Sequence, residues 1–134
     1  MSTLKVGTIQ NVSGASASTP EEIHSGRAKA WATFQAVTGA TFVDDFNCSS
    51  ITDGGTGVFT VNFSNALNNS NYCVVEGCTS YDSDLKMAGL SVDARSSGGQ
   101  TIAVKTTTAL KIICTAGGGT EFDPAQGYLA IFVS

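Results

Sequence analysis

The sequence predicts an all-β fold, an antiparallel β-sandwich of jelly-roll-like form with an extended N-terminal arm. Three observations carry this reading. Roughly seven to nine short segments rich in β-branched and aromatic residues recur along the chain. Turn signals rich in Gly, Asn and Ser separate them about every 8–12 residues. No helical-period segments alternate with the strands, which argues against a parallel α/β sheet. The chain has 134 residues, enough for one domain with its own core.

At the N-terminus, residues 1–26 differ in character from the rest of the chain. Residues 4–12 have a short strand-like pattern, and residues 13–19 are small, polar and of linker composition. Thr19, Pro20 and Glu22 form a helix-start signal. Thr19 can cap, Pro20 suits the first helical position, and Glu22 sits three residues after the cap. This helix is expected to end at Ser25-Gly26 or to run on towards Lys29. The arm is too small to bury a core of its own, so it is expected to need a partner surface.

The sandwich is expected over residues 27–134. Residues 30–34 alternate large and small, with Trp31 expected in the core. Residues 41–43 lead to Asp44, Asp45, Phe46 and Asn47. Residues 50–52 precede a strong turn signal at 53–57. Residues 58–63 are the clearest strand, with Phe59, Val61 and Phe63 on one face by the two-residue period. Further strands are expected at 72–78, 86–92, 101–106, 110–115 and 127–133, with turns at 68–71, 79–85, 96–99 and 116–120. The sequence shows no internal repeat and no heptad.

Composition limits the function classes. Charged residues make up only 13% and the formal net charge is −4, against about 25% charged residues in ordinary soluble domains. The surface must therefore be covered mainly by Ser, Thr, Asn and Gly, which suits an extracellular or assembled protein. No basic cluster exists to neutralise phosphates, so nucleic-acid binding is not expected. No segment approaches the roughly 18–20 continuous apolar residues that span a bilayer. The N-terminus lacks a charged region followed by an apolar core, so no secretory signal is expected. The start at Met1 and the apolar ending at 128–134 read as a complete small gene product.

Chemistry is sparsely supplied. His24 is the single histidine, and a Ser-His-Asp or Cys-His site would have to recruit it from the arm. Asp44/Asp45 and Asp82/Asp84 are paired acids of the kind that cleave glycosides at suitable separation, but neighbouring acids in a Ser-rich loop read more simply as a solvated turn. Calcium at Asp82/Asp84 lacks the glycine and final glutamate of a helix-loop-helix site. Glycine runs at 54–57 and 117–119 lack the lysine and the helix of a phosphate cradle. Asn-x-Ser patterns at Asn11, Asn47, Asn62 and Asn68 are expected by chance in so Asn- and Ser-rich a chain. Of Cys48, Cys73, Cys78 and Cys114, only Cys73 and Cys78 are closely spaced, which disfavours zinc. Buried free thiols are favoured, and one or two disulfides stay open. Tyr72, Tyr81 and Tyr128 can stack on sugar rings, though packing in the core or at its rim is the simpler reading. Tyr81 is the strongest candidate because recognition residues concentrate on loops held by a rigid scaffold.

Several segments carry a family resemblance. Residues 2–11, Ser2-Thr3-Leu4-Lys5-Val6-Gly7-Thr8-Ile9-Gln10-Asn11, followed by Ser13-Gly14, look like the N-terminal signature of tail-fibre-like virion proteins of marine phages and cyanophages. Ala28-Lys29-Ala30-Trp31-Ala32-Thr33-Phe34 resembles that family's Ala-Lys-Ala-Trp-Val-Asn-Phe segment. Residues 45–53, 57–63 and 128–132 fit as well, whereas 79–99 and 115–126 do not. The resemblance covers most of the chain and implies a virion structural protein without enzymatic activity, usually homotrimeric.

The resulting expectation is a tail-fibre or adhesin-like trimeric knob, located in the virion, with no cofactor, metal or catalytic residue. Leu4, Val6, Ile9 and Val12 of the arm are expected to anchor it to other virion proteins or to trimerise it. Tyr81, Asp82 and Asp84 are expected to contact a host glycan or protein. Many relatives carry this block at the end of a longer fibre, whereas here it comes directly after the arm with no shaft. A capsid decoration protein, with the arm clamping the shell, therefore stays open. A glycan-cleaving enzyme is the least favoured class.

Overall fold

A computed structural model describes residues 2–10, 12–14, 17–79, 88–92, 105–116 and 119–134, with 88–92 described by backbone alone. The described residues form one short helix, α1 (Pro20–Gly26), and eight strands. These are β1 (Ala30–Gln35), β2 (Thr41–Phe46), β3 (Cys48–Asp53), β4 (Val58–Phe63), β5 (Cys73–Thr79), β6 (Ala88–Val92), β7 (Ala109–Ala116) and β8 (Gln126–Phe132). The strands build two four-stranded sheets, β2-β1-β8-β5 and β3-β4-β7-β6, and each pairing is antiparallel. The all-β expectation thus holds, in the form of two antiparallel sheets. The expected turn at 96–99 and the strand residues 101–104 lie outside the described residues.

Period-two alternation explains which side chains meet between the sheets. Ala30, Ala32, Phe34, Leu129 and Ile131 point inward from the first sheet. Phe59, Val61, Phe63, Leu110, Ile112 and Cys114 point inward from the second. Small Ala30 and Ala32 leave room for the bulkier residues opposite. Phe34 and Phe59 meet across the core with ring centroids 5.5 Å apart and planes tilted by 54°, within the range that aromatic quadrupoles favour. Full burial of a Phe, Leu or Ile side chain stabilises the fold by about 1.5–3 kcal/mol each.

The alternation in β1 runs opposite to the expectation for Trp31. Its small neighbours and Phe34 face the core, so the two-residue period turns Trp31 to the outer face, where it is half-buried. Tyr72 packs in the core, the simpler of its two readings, 2% exposed, with its hydroxyl donating to the Ala109 carbonyl at 3.2 Å.

Three local features fix the geometry. The capping box at α1 forms as expected: Glu22 N donates to Thr19 Oγ1 at 3.2 Å, and Thr19 N donates to Glu22 Oε2 at 2.7 Å. Asn47 alone joins β2 to β3 and so carries the chain from one sheet to the other. It adopts φ 57°, a region Asn tolerates better than most residues. Its side chain donates to the Lys29 and Asn65 carbonyls at 3.0 and 3.2 Å, and accepts from Asn65 N at 2.8 Å. At the start of β4, Gly57 has φ +71°, and a Cβ there would stand 2.6 Å from the Cys114 carbonyl. Gly57 N donates to Asp123 Oδ1 at 2.8 Å, which ties the β3–β4 turn to the chain entering β8.

Candidate functional site

The arm shows how little of residues 2–18 the sandwich engages. The strand-like segment at 4–12 makes a single bridge, in which Ile9 N donates to the Ser18 carbonyl and Ser18 N to the Ile9 carbonyl, both at 2.8 Å. No described residue before Ala30 is buried. Leu4, Val6, Ile9 and Val12 are all exposed, Leu4 at 86%, and Ile23 of α1 is exposed too. None of these apolar side chains joins the core cluster. Exposing one such side chain is ordinary, whereas a run of them on one segment is not.

A second apolar surface lies on the outer face of the first sheet. The registers place Phe46, Trp31, Ala130 and Val75 side by side across all four strands. The neighbouring row is Asp44, Thr33, Tyr128 and Gly77. Phe132 faces Cys73 on the far side. Phe46, Val75 and Tyr128 are exposed, at 52%, 60% and 39%, while Trp31, Ala130 and Phe132 are half-buried. The Tyr128 ring lies beside Gly77, its Cδ2 at van der Waals distance, 3.4 Å, from where a Cβ on that glycine would stand. A register shift between Thr33 and Phe34 inserts Val43 as an extra residue in β2. This bulge lets Phe42 pack against the core while Phe46 stays outside.

The outer face of the second sheet is mixed: its described rows are polar at Ser50, Thr52, Thr60, Asn62 and Lys111, while Val58 and Ile113, paired on the same face, are apolar and buried. Thr52, Thr60 and Lys111 form one row, and Ser50, Asn62 and Ala109 the next. Asn62 Nδ2 donates to Ser50 Oγ at 3.0 Å and to Thr52 Oγ1 at 3.4 Å. An antiparallel sheet with one solvated face ordinarily looks like this. The first sheet departs from the pattern, with aromatic residues on both of its faces.

The edge of the first sheet is built against simple strand addition. β2 carries the exposed pair Asp44 and Asp45 beside its bulge, two of the devices that blunt an edge. The other edge of this sheet is β5.

Little chemistry converges elsewhere. No group of three or more His, Cys, Asp or Glu that could hold a metal ion occurs among the described residues. His24 is exposed on α1, and its carbonyl accepts from Lys29 Nζ. Around them lies a cleft of about 180 Å³, lined also by Asn47, Leu67, Asn68 and Val133. The paired acids Asp44 and Asp45 sit on the edge strand, where Asp45 N donates to Asp44 Oδ1 at 2.9 Å. Among described residues, no helix is long and apolar enough to cross a membrane. The recognition candidates Tyr81, Asp82 and Asp84 lie outside the described residues.

Burial dominates the titration of the interior. It pushes the Cys48 thiol up from 9.0 to about 12, with the Asp45 carboxylate adding to the shift. It also raises the Tyr72 phenol from 10.0 to about 12, opposed in part by a backbone hydrogen bond at Thr106. Lys105 braces this tyrosine, its Nζ donating to the Tyr72 carbonyl at 2.9 Å and standing 5.1 Å from the ring centroid.

Of the expected site residues, the structure leaves the four arm side chains bare and does not bring them to the sandwich core. The outer apolar row is absent from the sequence-based expectations, which name only Tyr128, in the row beside it, as an exposed aromatic. One signal for it exists in the sequence. Residues 128–133 are continuously apolar, and a strand without alternation is one that expects cover on both faces. No family model matches the chain, and no curated protein or solved structure matches it significantly.

Proposed function

We propose that this protein is a non-enzymatic virion structural protein of a bacterial virus, a jelly-roll-like tail-fibre or adhesin-like knob that works as a homotrimer. The observation that carries the reading is the apolar row Phe46, Trp31, Ala130 and Val75 on a solvent-facing sheet. Monomeric proteins rarely leave such a face open, and a second copy of the chain covers it in this reading. The segments resembling tail-fibre-like virion proteins supply the class and the trimer. Residues 1–26 then form the arm that holds the knob to other virion proteins through Leu4, Val6, Ile9 and Val12. The 27–134 sandwich presents its loops outward, with Tyr81, Asp82 and Asp84 facing a host glycan or protein. No cofactor, nucleic acid or membrane insertion enters this reading.

A capsid decoration role is the second reading, favoured by an arm whose bare apolar side chains lead so directly into the sandwich. Cryo-electron microscopy of virions decides between the two, because the density falls at the tail in the first and over the capsid shell in the second. Deleting residues 2–18 tests the arm. The deletion removes no core residue and leaves the Thr19 cap, so the expected product is a folded sandwich absent from virions. Normal incorporation of the truncated chain refutes the anchoring role.

A further inference from the structure

The four thiols occupy different surroundings. Cys48 is buried beneath the β2–β3 corner, its Sγ 3.6 Å from the Trp31 and Phe46 carbonyls. Cys73 is exposed at the start of β5. Cys78 and Cys114 differ from both, because they face each other. Cys78 comes from β5 in the first sheet and Cys114 from β7 in the second. Their sulfurs stand 3.0 Å apart, about 1 Å more than the length of a disulfide bond. Cys114 is fully buried in the core, and Cys78 packs against it half-buried. β5 and β7 share no ladder, so side-chain packing alone joins the sheets at this point.

We propose that Cys78 and Cys114 form an inter-sheet disulfide when the protein meets a low-molecular-weight disulfide oxidant such as oxidised glutathione. Cys78, the more accessible of the two, loses its proton and attacks one sulfur of the oxidant. The oxidant's S–S bond breaks and one thiolate leaves. The Cys114 thiolate then attacks Cys78 Sγ, the protein disulfide forms, and the second oxidant thiolate leaves. Two electrons pass to the oxidant, and the two protons released by the cysteines convert its halves to thiols. Burial raises both thiols above the ordinary cysteine range, which keeps the thiolate fraction small at neutral pH and makes the closure slow. The bond is therefore a structural staple and not a turnover site.

Its location gives it a consequence. Cys78 and Cys114 are 36 positions apart, and the bond closes a loop that carries β6 and the segment with Tyr81, Asp82 and Asp84. It ties the roots of that loop to both sheets at once. The inference stands on the two sulfurs and does not depend on the virion reading. Disulfides persist outside reducing compartments, so the staple closes on exposure to oxidant and opens in reductant.

The test uses the full chain, reduced, freed of reductant and incubated folded with oxidised glutathione. The sample is then unfolded in an alkylating agent and mapped by non-reducing tandem mass spectrometry. The expected product is a monomer-internal Cys78–Cys114 link, with Cys48 and Cys73 alkylated. Its thermal midpoint rises by roughly 10 °C over the reduced protein, and reductant reverses the rise. Cys114→Ala removes both the link and the oxidant-dependent rise; if that variant does not fold, the wild-type map alone decides. Four alkylated thiols, a glutathione adduct left on Cys78, or links through Cys73 in place of the expected pair each overturn the proposal.

Discussion

The two outer faces of this sandwich are built from the same secondary structure and the same inward pattern, yet they differ in kind. On the β3-β4-β7-β6 face Asn62 bridges Ser50 and Thr52 beside Thr60 and Lys111, and the apolar pair Val58 and Ile113 is buried. The β2-β1-β8-β5 face presents Phe46, Trp31, Val75 and Tyr128. Both sheets contribute to one core, so stability alone does not require the contrast. In the proposed assembly a second copy of the chain covers the outer face of the first sheet. The exposed arm repeats this pattern at the start of the chain.

The largest expected effect comes from placing charge on the apolar face. Phe46→Glu with Val75→Glu should convert the oligomer to monomers, and Trp31, the only tryptophan, should become freely quenched by acrylamide. Thr52→Glu with Thr60→Glu on the other face should change neither particle mass nor quenching. Equal sensitivity of the two faces in sedimentation would erase the distinction between them.

The corner that joins the sheets should show stability without assembly. Asn47→Ala loses the side-chain bonds to Lys29 and Asn65 and leaves an alanine at positive φ. A loss of about 3 kcal/mol in denaturant unfolding is expected, with the folded fraction still oligomeric. Dissociation without loss of stability would move the interface to this corner.

Alkali should act on the core that both faces share. Cys48 and Tyr72 have folded pKa values above their ordinary ones, so the unfolded chain gives up those protons first. Their contribution is fully present below about pH 9 and is lost progressively as pH rises towards 12. Thermal midpoints should therefore hold level up to about pH 9 and fall beyond it, and a midpoint that climbs across this window would contradict the burial of these groups. The smallest effect is expected on the polar face itself. Asn62→Ala removes two exposed hydrogen bonds and should cost about 0.5–1 kcal/mol in urea unfolding, with the mass of the particle unchanged.

Much of the fold is legible in the sequence because local chemistry and global packing agree. Phe59, Val61 and Phe63 alternate and are buried together. The 53–57 turn forms as its residues require, with Gly55 N donating to Asp53 Oδ1 at 2.9 Å. The Thr19 cap and Pro20 start the helix where they stand. Where sequence pattern and structure part, a competing rule decides. Trp31 is large and apolar, but β1 is phased by Phe34 and the two alanines, and a strand cannot bury both faces against one core. For Tyr72 residue type leaves ligand stacking and packing both open, and its position just before β5 selects the core, with its ring edge-on to Phe63 at 6.2 Å. Among the described residues the strand pattern at 4–12 forms one bridge, Ile9 with Ser18, and joins neither sheet. The closeness of Cys78 and Cys114 is invisible in sequence because it depends on two strands in different sheets.

Everything proposed for the first sheet turns on its outer face being covered by copies of the same chain. Sedimentation velocity of the full protein at micromolar concentration tests this directly. The expected particle contains three 13.7 kDa chains and is lost when Phe46 and Val75 become glutamate. A single 13.7 kDa species in the wild type would contradict the proposal.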